Sequence, residues 1–281
     1  YAYPDQGFMS RFAQAIEKEY PQFFMFGETW VHGPQVQSWY AEKSANKNFD
    51  SHLQSVTDFQ FAFALHKGLN EKHDWAKGIN RLYYVLSGDY MYENPSHLVT
   101  FIDNHDIARM YGLYGKDMNK YKMAIALLMT SRGIPQMYYG TEILMAATDG
   151  HGEIREDFWG GWPEDTVNKF TKEGRSDLEN EAFDFIQSLA NFRKNSSALT
   201  EGKLVQFVPR EGVYCYFRYS ADEEIMVIVN ASEKAVEEKL DRYEERLRSK
   251  STFTDALTQE ALPIEENLEL GPFETRIFVV K

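Results

Sequence analysis

The segment Leu98-Val99-Thr100-Phe101-Ile102-Asp103-Asn104-His105-Asp106 joins an apolar run directly to a polar cluster. Its first five residues are rich in β-branched and aromatic side chains, as is typical of a fully buried strand. Two Asp, one Asn and one His follow at once. Because the carboxyl ends of strands carry the catalytic groups in a parallel barrel, this segment predicts a buried strand that ends in a functional site.

A second segment has the same form. Gln22-Phe23-Phe24-Met25-Phe26 predicts a strand, and Gly27-Glu28-Thr29-Trp30 follows it. A helix with Phe8, Phe12, Ile16 and Tyr20 on one face precedes this strand, so helix and strand alternate as in α/β folds. Two strands of the predicted sheet therefore end in carboxylates.

The composition fits a globular protein with one large domain or two smaller ones. The 281 residues are 43% hydrophobic and 26% charged, which is enough to bury a sizeable core. The formal net charge of −13 disfavours nucleic acid and anionic membrane surfaces as partners and suits a neutral ligand such as a sugar. The single cysteine, Cys215, excludes an internal disulfide, and its apolar neighbours predict a strand residue rather than a nucleophile. No apolar run reaches the ~18 residues that a membrane span needs.

The remaining pattern divides the chain into two domains, residues 1–200 and residues 201–281. In the first domain, Thr57 to Phe63 predicts a short alternating strand that runs into a helix near 64–72, and residues 178–193 predict a closing helix. Residues 145–175 form a long glycine- and tryptophan-containing loop, and such a loop is usually functional. In the second domain, short β runs separated by turns predict an antiparallel sandwich, and the charged run 233–250 predicts a solvated face.

Three motifs resemble those of the α-amylase family of retaining glycoside hydrolases, family 13. Phe26-Gly27-Glu28-Thr29-Trp30 is similar to the motif at the end of the fifth strand of its catalytic barrel. Phe101-Ile102-Asp103-Asn104-His105-Asp106 is similar to the seventh-strand motif, and Gly133-Ile134-Pro135-Gln136-Met137-Tyr138-Tyr139-Gly140-Thr141-Glu142 to the eighth-strand motif. The three occur in the family's order. Arg155 to Pro163 resembles the following loop of neopullulanase-like and cyclomaltodextrinase-like members.

The resemblance implies the C-terminal half of a (β/α)8 TIM barrel, strands 5 to 8, followed by an antiparallel β-sandwich. The family's nucleophilic Asp ends the fourth strand, and Tyr1 falls two residues past that position. We therefore expect the nucleophile, the first four strands and any calcium site to lie outside this chain, which itself needs no cofactor and no metal. Ala2 and Tyr3 stand where many amylases carry Lys and His, a departure from the usual subsite for long starch chains that leaves an enzyme for shorter oligosaccharides open.

The resemblance also assigns roles to individual residues. Retaining hydrolysis needs a nucleophilic carboxylate and a protonated acid about 5–5.5 Å apart, and Glu28 matches the acid. Asp106 matches the third carboxylate, which orients the reacting sugar, and His105 matches a residue that binds its hydroxyl groups. Arg109 is expected to pair near Asp106 or to reach substrate. The expected aromatic sugar contacts are Trp30 and Trp159, with Trp162 as a further candidate.

Each assignment has a structural alternative. A lone Glu after a strand is often a helix cap or a surface charge, and His105 with Asp106 could form a structural pair. Asp103 and Asn104 are expected to hold the loop at the strand end by local hydrogen bonds. Trp159 and Trp162 are either sugar platforms or core residues.

The expected function is therefore that of part of an α-glucan hydrolase that acts on maltooligosaccharides, cyclodextrins, pullulan or starch. The alternatives are a transglycosylase of the same family and a non-catalytic binding or assembly protein with this fold. An α-glucan oligosaccharide is the expected ligand. Because half a barrel has open edges, we also expect the chain to self-associate or to pair with the missing half, and to be inactive alone.

Overall fold

The computed structural model describes residues 6–43 and 50–281, so the positions of Tyr1, Ala2 and Tyr3 lie outside the described residues. Its first sheet has four parallel strands in the order β1-β2-β3-β4. These strands are Phe26–Gly27 (β1), Ser55–Asp58 (β2), Val99–Thr100 (β3) and Ile134–Pro135 (β4). Consecutive strands of the chain are neighbours in the sheet, as in a barrel, which confirms the expected half of a (β/α)8 fold.

Helices connect and follow these strands. They are Gln6–Glu19 (α1), Pro34–Ser38 (α2), Phe59–Gly68 (α3), Asn80–Ser87 (α4), Met110–Leu113 (α5), Met118–Thr130 (α6), His151–Ile154 (α7), Asp177–Lys194 (α8) and Ser197–Thr200 (α9). The start of α8 carries a capping box, in which the Ser176 side chain accepts from the Glu179 backbone N–H and the Glu179 side chain accepts from that of Ser176. The predicted closing helix, residues 178–193, is confirmed. The observed helix is one residue longer at each end.

The prediction for residues 57–63 is wrong in one respect. The strand is β2, which ends at Asp58, and helix α3 begins at Phe59. The Asp58 side chain accepts the backbone N–H of Phe61 and so caps the helix. Phe59 and Phe61 are both buried, and this burial on two sides of a helix mimics the alternation of a strand.

The strand near residues 22–26 is also different from its prediction. Only Phe26 and Gly27 pair with β2, and the side chains of Phe23, Phe24 and Phe26 are exposed. Within the described residues, β1 pairs on one side only, and β4 likewise pairs only with β3. Both ends of the parallel sheet are therefore open edges, and Ile134 of β4 is exposed at the second one.

The second domain is antiparallel. Its strands are Lys203–Gln206 (β5), Val213–Tyr219 (β6), Glu224–Asn230 (β7), Val236–Lys239 (β8), Thr252–Asp255 (β9), Ala261–Pro263 (β10), Asn267–Leu270 (β11) and Glu274–Val280 (β12). Six of them form one sheet in the order β10-β9-β12-β7-β6-β5, and β11 pairs with β8 in a second sheet. The expected sandwich is confirmed.

The larger sheet is buried on both faces. Tyr214 and Tyr216 of β6 belong to the core that the sheet shares with the helices of the half barrel. Cys215 and Phe217, which alternate with them, belong to the core inside the sandwich. Burial raises the pKa of the Cys215 thiol, and the residue lies in a strand as predicted.

The charged run 233–250 is more than a solvated face. It contains β8, a 3₁₀ turn at Leu240–Tyr243 and the helix Glu244–Leu247 (α10). The side chains of Leu240, Tyr243 and Leu247 are buried in the sandwich core. Because charged residues predominate in this segment, its composition does not reveal the three buried apolar side chains.

Candidate active site

The predicted acid and the predicted third carboxylate follow two strands of one sheet. Glu28 comes directly after β1 and is half-buried, and Asp106 lies in the loop after β3. A hydrogen bond to β2 holds the loop after β1 in place. The Thr29 backbone N–H donates to Oγ1 of Thr57, a residue of β2, at 3.0 Å. β2 separates β1 from β3, and the three strands are parallel. Glu28 and Asp106 therefore extend from the same edge of the sheet, where ligand sites of parallel barrels lie.

Asp103 and Asn104 build the loop that carries Asp106. Asp103 Oδ2 accepts the Met110 backbone N–H at 3.0 Å, and Asp103 Oδ1 accepts the Thr141 hydroxyl at 3.0 Å. Asn104 Oδ1 accepts the backbone N–H of Asp106 at 2.8 Å. Both residues have the structural role that was predicted. Because burial disfavours the charged form, it raises the pKa of Asp103 to about 6.

A half-buried histidine on helix α3 contacts the end of β3. His66 of α3 lies with Nε2 at 2.5 Å from the carbonyl oxygen of Ile102, and a carbonyl can only accept, so Nε2 carries the proton. Burial lowers the pKa of His66 and so favours the neutral ring. The position of the polar loop is thus set by side chains on α3 and after β4, and none of these contacts can be read from sequence spacing.

Two side chains, those of His105 and Arg155, contact the Asp106 carboxylate. His105 Nε2 lies 3.2 Å from Asp106 Oδ2, and an Arg155 terminal nitrogen lies 2.7 Å from Asp106 Oδ1. Arg155 Nε also donates to the His105 carbonyl oxygen at 3.0 Å. The two Arg155 contacts join the long loop after β4 to the loop after β3. Arg155 was noted in a loop motif but was given no role, because the sequence separation to Asp106 carries no signal of contact.

Arg109 requires a correction. Its side chain is fully buried, and its guanidinium donates to the carbonyl oxygens of Ile154 and Tyr139 and lies over the Tyr138 ring. The expected ion pair with Asp106 is made by Arg155 instead. Arg109 was misassigned because it follows Asp106 by only three residues, whereas the chain turns inward between them. Its role is to anchor the eighth-strand loop.

The tryptophans are accessible. Trp30 stacks on Phe59 with ring centroids 4.9 Å apart and remains 37% exposed. Trp159 and Trp162 are 44% and 61% exposed, so neither side chain is buried in the core of this chain. The Trp159 indole N–H donates to Glu156 Oε1 at 3.2 Å, which orients the ring at the surface of the long loop. Their contact with sugar stays a prediction.

Residues 6–43 and 50–281 contain neither a candidate metal cluster nor a candidate membrane-spanning helix. In these ranges there is no group of three or more His, Cys, Asp or Glu side chains that could hold a metal ion. The same ranges contain no helix with the length and apolar character that crossing a membrane requires.

Comparison with known proteins points to one family. Residues 3–177 match the description "Alpha amylase, catalytic domain", and residues 204–279 match "Cyclo-malto-dextrinase C-terminal domain". A cyclomaltodextrin glucanotransferase of Geobacillus stearothermophilus is 32% identical over 216 residues, which is 76% of this chain and 27% of that protein. An α-amylase of Niallia circulans is 29% identical over 75% of this chain and 35% of that protein.

Solved structures agree with the fold. The α-amylase of Geobacillus thermoleovorans, in complex with acarbose, has a TM-score of 0.79 and 22% identity over 99% of this chain and 57% of its own. The chain thus spans little more than half of that structure and about a quarter to a third of the curated relatives. Because the catalytic-domain description covers residues 3–177, more than half of the 281 residues, the chain belongs to the α-amylase family.

Proposed function

We propose that this chain is part of a retaining enzyme that acts on α-1,4-glucosidic bonds, with Glu28 as the general acid and base. The observation that carries the proposal is the placement of Glu28 and Asp106 at the carboxyl ends of β1 and β3 in one parallel sheet. Neighbouring strands lie about 4.8 Å apart, so the two strand ends are about 10 Å apart. Side chains from these ends can reach opposite sides of a single sugar ring.

Each residue then has a distinct task. Glu28 protonates the departing glycosidic oxygen and later removes a proton from the incoming hydroxyl. Asp106 binds hydroxyl groups of the reacting sugar, and His105 donates to the same sugar from the adjacent position. Arg155 holds the Asp106 carboxylate in place through its 2.7 Å contact. The nucleophile comes from outside this chain, in the segment that completes the barrel.

The substrate is a neutral glucan. The net charge of −13 disfavours polyanions, and exposed aromatic rings beside the loops after β1 and β4 offer flat apolar faces for sugar rings. Both the names of the curated relatives and the cyclomaltodextrinase-type C-terminal domain support maltooligosaccharides or cyclodextrins as the substrate class.

The test uses the complete barrel, formed by this chain and the segment that completes it. Glu28→Gln and Asp106→Asn should each remove most turnover of maltoheptaose and of a cyclodextrin, because each removes one essential charge. Glu245→Gln and Asp222→Asn, which make the same chemical changes at exposed positions of the sandwich, serve as controls. Turnover within about tenfold of the unmodified enzyme, or ~1.4 kcal/mol of barrier, would exclude the proposed roles.

Glucan transfer is the second candidate, because several of the similar curated proteins are glucanotransferases. Hydrolysis and transfer share the glycosyl-enzyme and differ in whether water or a sugar hydroxyl attacks it. Chromatography of the products from maltotriose separates the two. Glucose and maltose alone indicate hydrolysis, whereas products longer than maltotriose or cyclic products indicate transfer.

A further inference from the structure

The loop that carries Glu28 leaves the sheet at Gly27. The pairing of β1 with β2 ends with Gly27 opposite Val56, and α2 begins at Pro34. The backbone N–H and C=O groups of residues 28–33 therefore lie beyond the strand ladder and need other partners. Because Glu28 extends from this segment, the bonds that these groups make determine where its side chain lies.

The side chain of Gln60 supplies two of these partners. Its Oε1 accepts the Gly33 backbone N–H at 2.8 Å, and its Nε2 donates to the Val31 carbonyl oxygen at 2.6 Å. A side-chain amide thus binds one N–H and one C=O of the loop, as a peptide group of a neighbouring strand would. Both bonds agree with one orientation of the amide, since a carbonyl oxygen can only accept and a backbone N–H can only donate.

The start of α3 places Gln60 beside the loop. Asp58 at the end of β2 caps this helix, so Gln60 is its second residue. Because Cβ atoms of a helix tilt towards its N-terminus, the Gln60 side chain is directed back to the strand ends. Thr57, the residue before the cap, accepts the Thr29 backbone N–H through Oγ1 at 3.0 Å. Side chains at the junction of β2 and α3 thus bind three residues of the loop.

Gln60 is itself held by a buried network. Its Nε2 also donates to Oε1 of Gln37, a fully buried residue of α2, at 3.3 Å. Nε2 of Gln37 in turn donates to Asp58 Oδ1 and to the Tyr92 hydroxyl oxygen, both at 3.0 Å. Because buried amide groups are costly unless they are hydrogen-bonded, this network favours one position for the Gln60 side chain. The two bonds from Gln60 to the loop are therefore in place before any substrate binds.

The position of a general acid is critical for its reaction. The acid must lie within hydrogen-bond reach of the oxygen that it protonates, and a displacement of about 1 Å can cost about 100-fold in rate. Thr29 follows Glu28 directly and is fully buried, whereas Glu28 is only half-buried. The backbone beside the carboxylate is thus held from within the protein, while the Glu28 side chain remains accessible.

We propose that Gln60, together with Thr57, is a positioning residue that holds the Glu28 carboxylate at the glycosidic oxygen. This inference rests on the proposed function, because it concerns the proposed acid. Gln60 acts through the backbone of Val31 and Gly33 and does not touch substrate in this role. Its loss should therefore impair proton donation to the leaving group, but not the departure of a leaving group that needs no proton.

The test compares two substrates of the complete barrel whose leaving groups are similar in size and different in acidity. The leaving group of 4-nitrophenyl α-maltotrioside departs as a stable anion, whereas that of 4-methoxyphenyl α-maltotrioside depends on protonation. Release of the phenol gives kcat/KM for cleavage of the aryl bond, the step that the acid assists. Gln60→Leu should lower kcat/KM at least about tenfold for the 4-methoxyphenyl substrate and less than about threefold for the 4-nitrophenyl substrate.

Gln206→Leu is the matched control, because Gln206 of β5 is also a side-chain amide with a donor and an acceptor role. Its Nε2 donates to the Tyr83 carbonyl oxygen at 3.1 Å, and its Oε1 accepts the Tyr214 hydroxyl at 2.6 Å. This variant should leave kcat/KM for both substrates unchanged. Thr57→Val keeps the shape of the side chain and removes the acceptor for the Thr29 N–H, so it should show the same selective loss as Gln60→Leu to a smaller degree.

Equal fractional losses for the two substrates in Gln60→Leu would overturn the inference, since a merely structural fault lowers the amount of active enzyme for both. Unchanged values for both substrates would overturn it as well. If Gln60→Leu does not fold, the same outcomes for Thr57→Val decide the question. Glu28→Gln, measured in parallel, should show the selective loss more strongly. Absence of a selective loss in Glu28→Gln would overturn the proposed function, whereas a selective loss in Glu28→Gln alone would overturn only the assignment of Gln60 and Thr57.

Discussion

Asp106 depends on a residue about fifty positions away in the sequence. Arg155 contacts its carboxylate and the carbonyl oxygen of His105, so a single guanidinium orders two proposed substrate-binding groups. A planar guanidinium can bind both at once, which a lysine ammonium on a flexible stem cannot do with the same geometry. The carboxylate is therefore held in place before substrate arrives.

We predict that Arg155→Ala in the complete barrel lowers kcat/KM on maltoheptaose at least about tenfold, because a charge-assisted contact to Asp106 is lost. Arg155→Lys should recover only part of the activity. Arg248→Ala, which removes an exposed arginine of the sandwich, should have no effect. Full activity of Arg155→Ala would show that Asp106 needs no support from this loop.

The raised pKa of Asp103 makes the free energy of unfolding depend on pH. Burial raises its pKa from the ordinary value of 3.8 to about 6, so the folded protein binds a proton that the unfolded chain releases between these values. The stability that this proton contributes is fully present below about pH 4 and is lost as the pH rises through about 6. Ionised Asp103 remains tolerable at neutral pH because Met110 and Thr141 donate to it.

Replacement by asparagine removes this dependence. Between pH 7 and pH 5 the unmodified chain should gain about 1 kcal/mol of unfolding free energy relative to Asp103→Asn. Urea unfolding of both proteins at the two pH values measures the difference. Parallel pH profiles would mean that Asp103 is ionised in the fold throughout this range.

At the scale of elements, one arginine connects three segments of the half barrel. Arg132, just before β4, lies 2.6 Å from Asp58 at the end of β2 and 2.8 Å from Asp89 in the 3₁₀ turn Asp89–Met91. Asp58 also caps α3, so the same carboxylate fixes the helix and receives the guanidinium. Arg132 and Asp58 are both buried, which makes each charge dependent on its partner.

We expect Arg132→Leu to cost at least about 3 kcal/mol of unfolding free energy, because it leaves two buried or partly buried carboxylates without their cation. Lys122→Ala breaks the accessible ion pair with Glu181 and should cost less than about 1 kcal/mol. Chemical denaturation of the two variants compares the costs. Similar losses for both would mean that Asp58 is satisfied by the helix cap alone.

At the scale of the whole molecule, buried hydrogen bonds join the half barrel to the sandwich, whereas the parallel sheet of the half barrel has two open edges. The buried Arg218 of β6 donates to the carbonyl oxygens of Thr130 and Leu199, and the Tyr216 hydroxyl contacts Thr130 Oγ1 at 2.5 Å. On the other side, β1 and β4 are sheet edges in the described part of the chain, with exposed Phe24, Phe26 and Ile134 nearby. Open edges with apolar side chains favour association.

The purified chain should therefore self-associate at tens of micromolar, unless the segment that completes the barrel is supplied. Phe24→Lys should weaken this association, because a charge at an open edge opposes strand pairing, whereas Val208→Lys on the exposed surface of the sandwich should not. Sedimentation velocity measures both effects. A single species at the monomer mass of 32.7 kDa over this concentration range would contradict the prediction.

The same preparations test the second part of the prediction. The chain alone should not hydrolyse maltooligosaccharides, because Glu28 can protonate a leaving group but no residue of the chain matches the family's nucleophile. Turnover by the chain alone that disappears with Glu28→Gln would refute this expectation.

The sequence by itself determined the fold class, an α/β half barrel followed by an antiparallel β domain, and the positions of Glu28 and Asp106 after strands. These features depend on local patterns, namely apolar runs followed by polar residues and the alternation of short β segments. The same local reasoning also assigned Asp103 and Asn104 correctly, since their hydrogen bonds shape the loop in which they lie.

Only the tertiary structure decided which residue supports Asp106, where α3 begins and which aromatic rings are exposed. Arg109 is close to Asp106 in sequence but turns into the core, whereas the distant Arg155 reaches the carboxylate. The alternation at residues 57–63 concealed a helix because burial on two sides removed its amphipathic signal. Long-range packing and burial set these outcomes, because a contact between segments depends on how the sheet and loops close and not on the separation of residues along the chain.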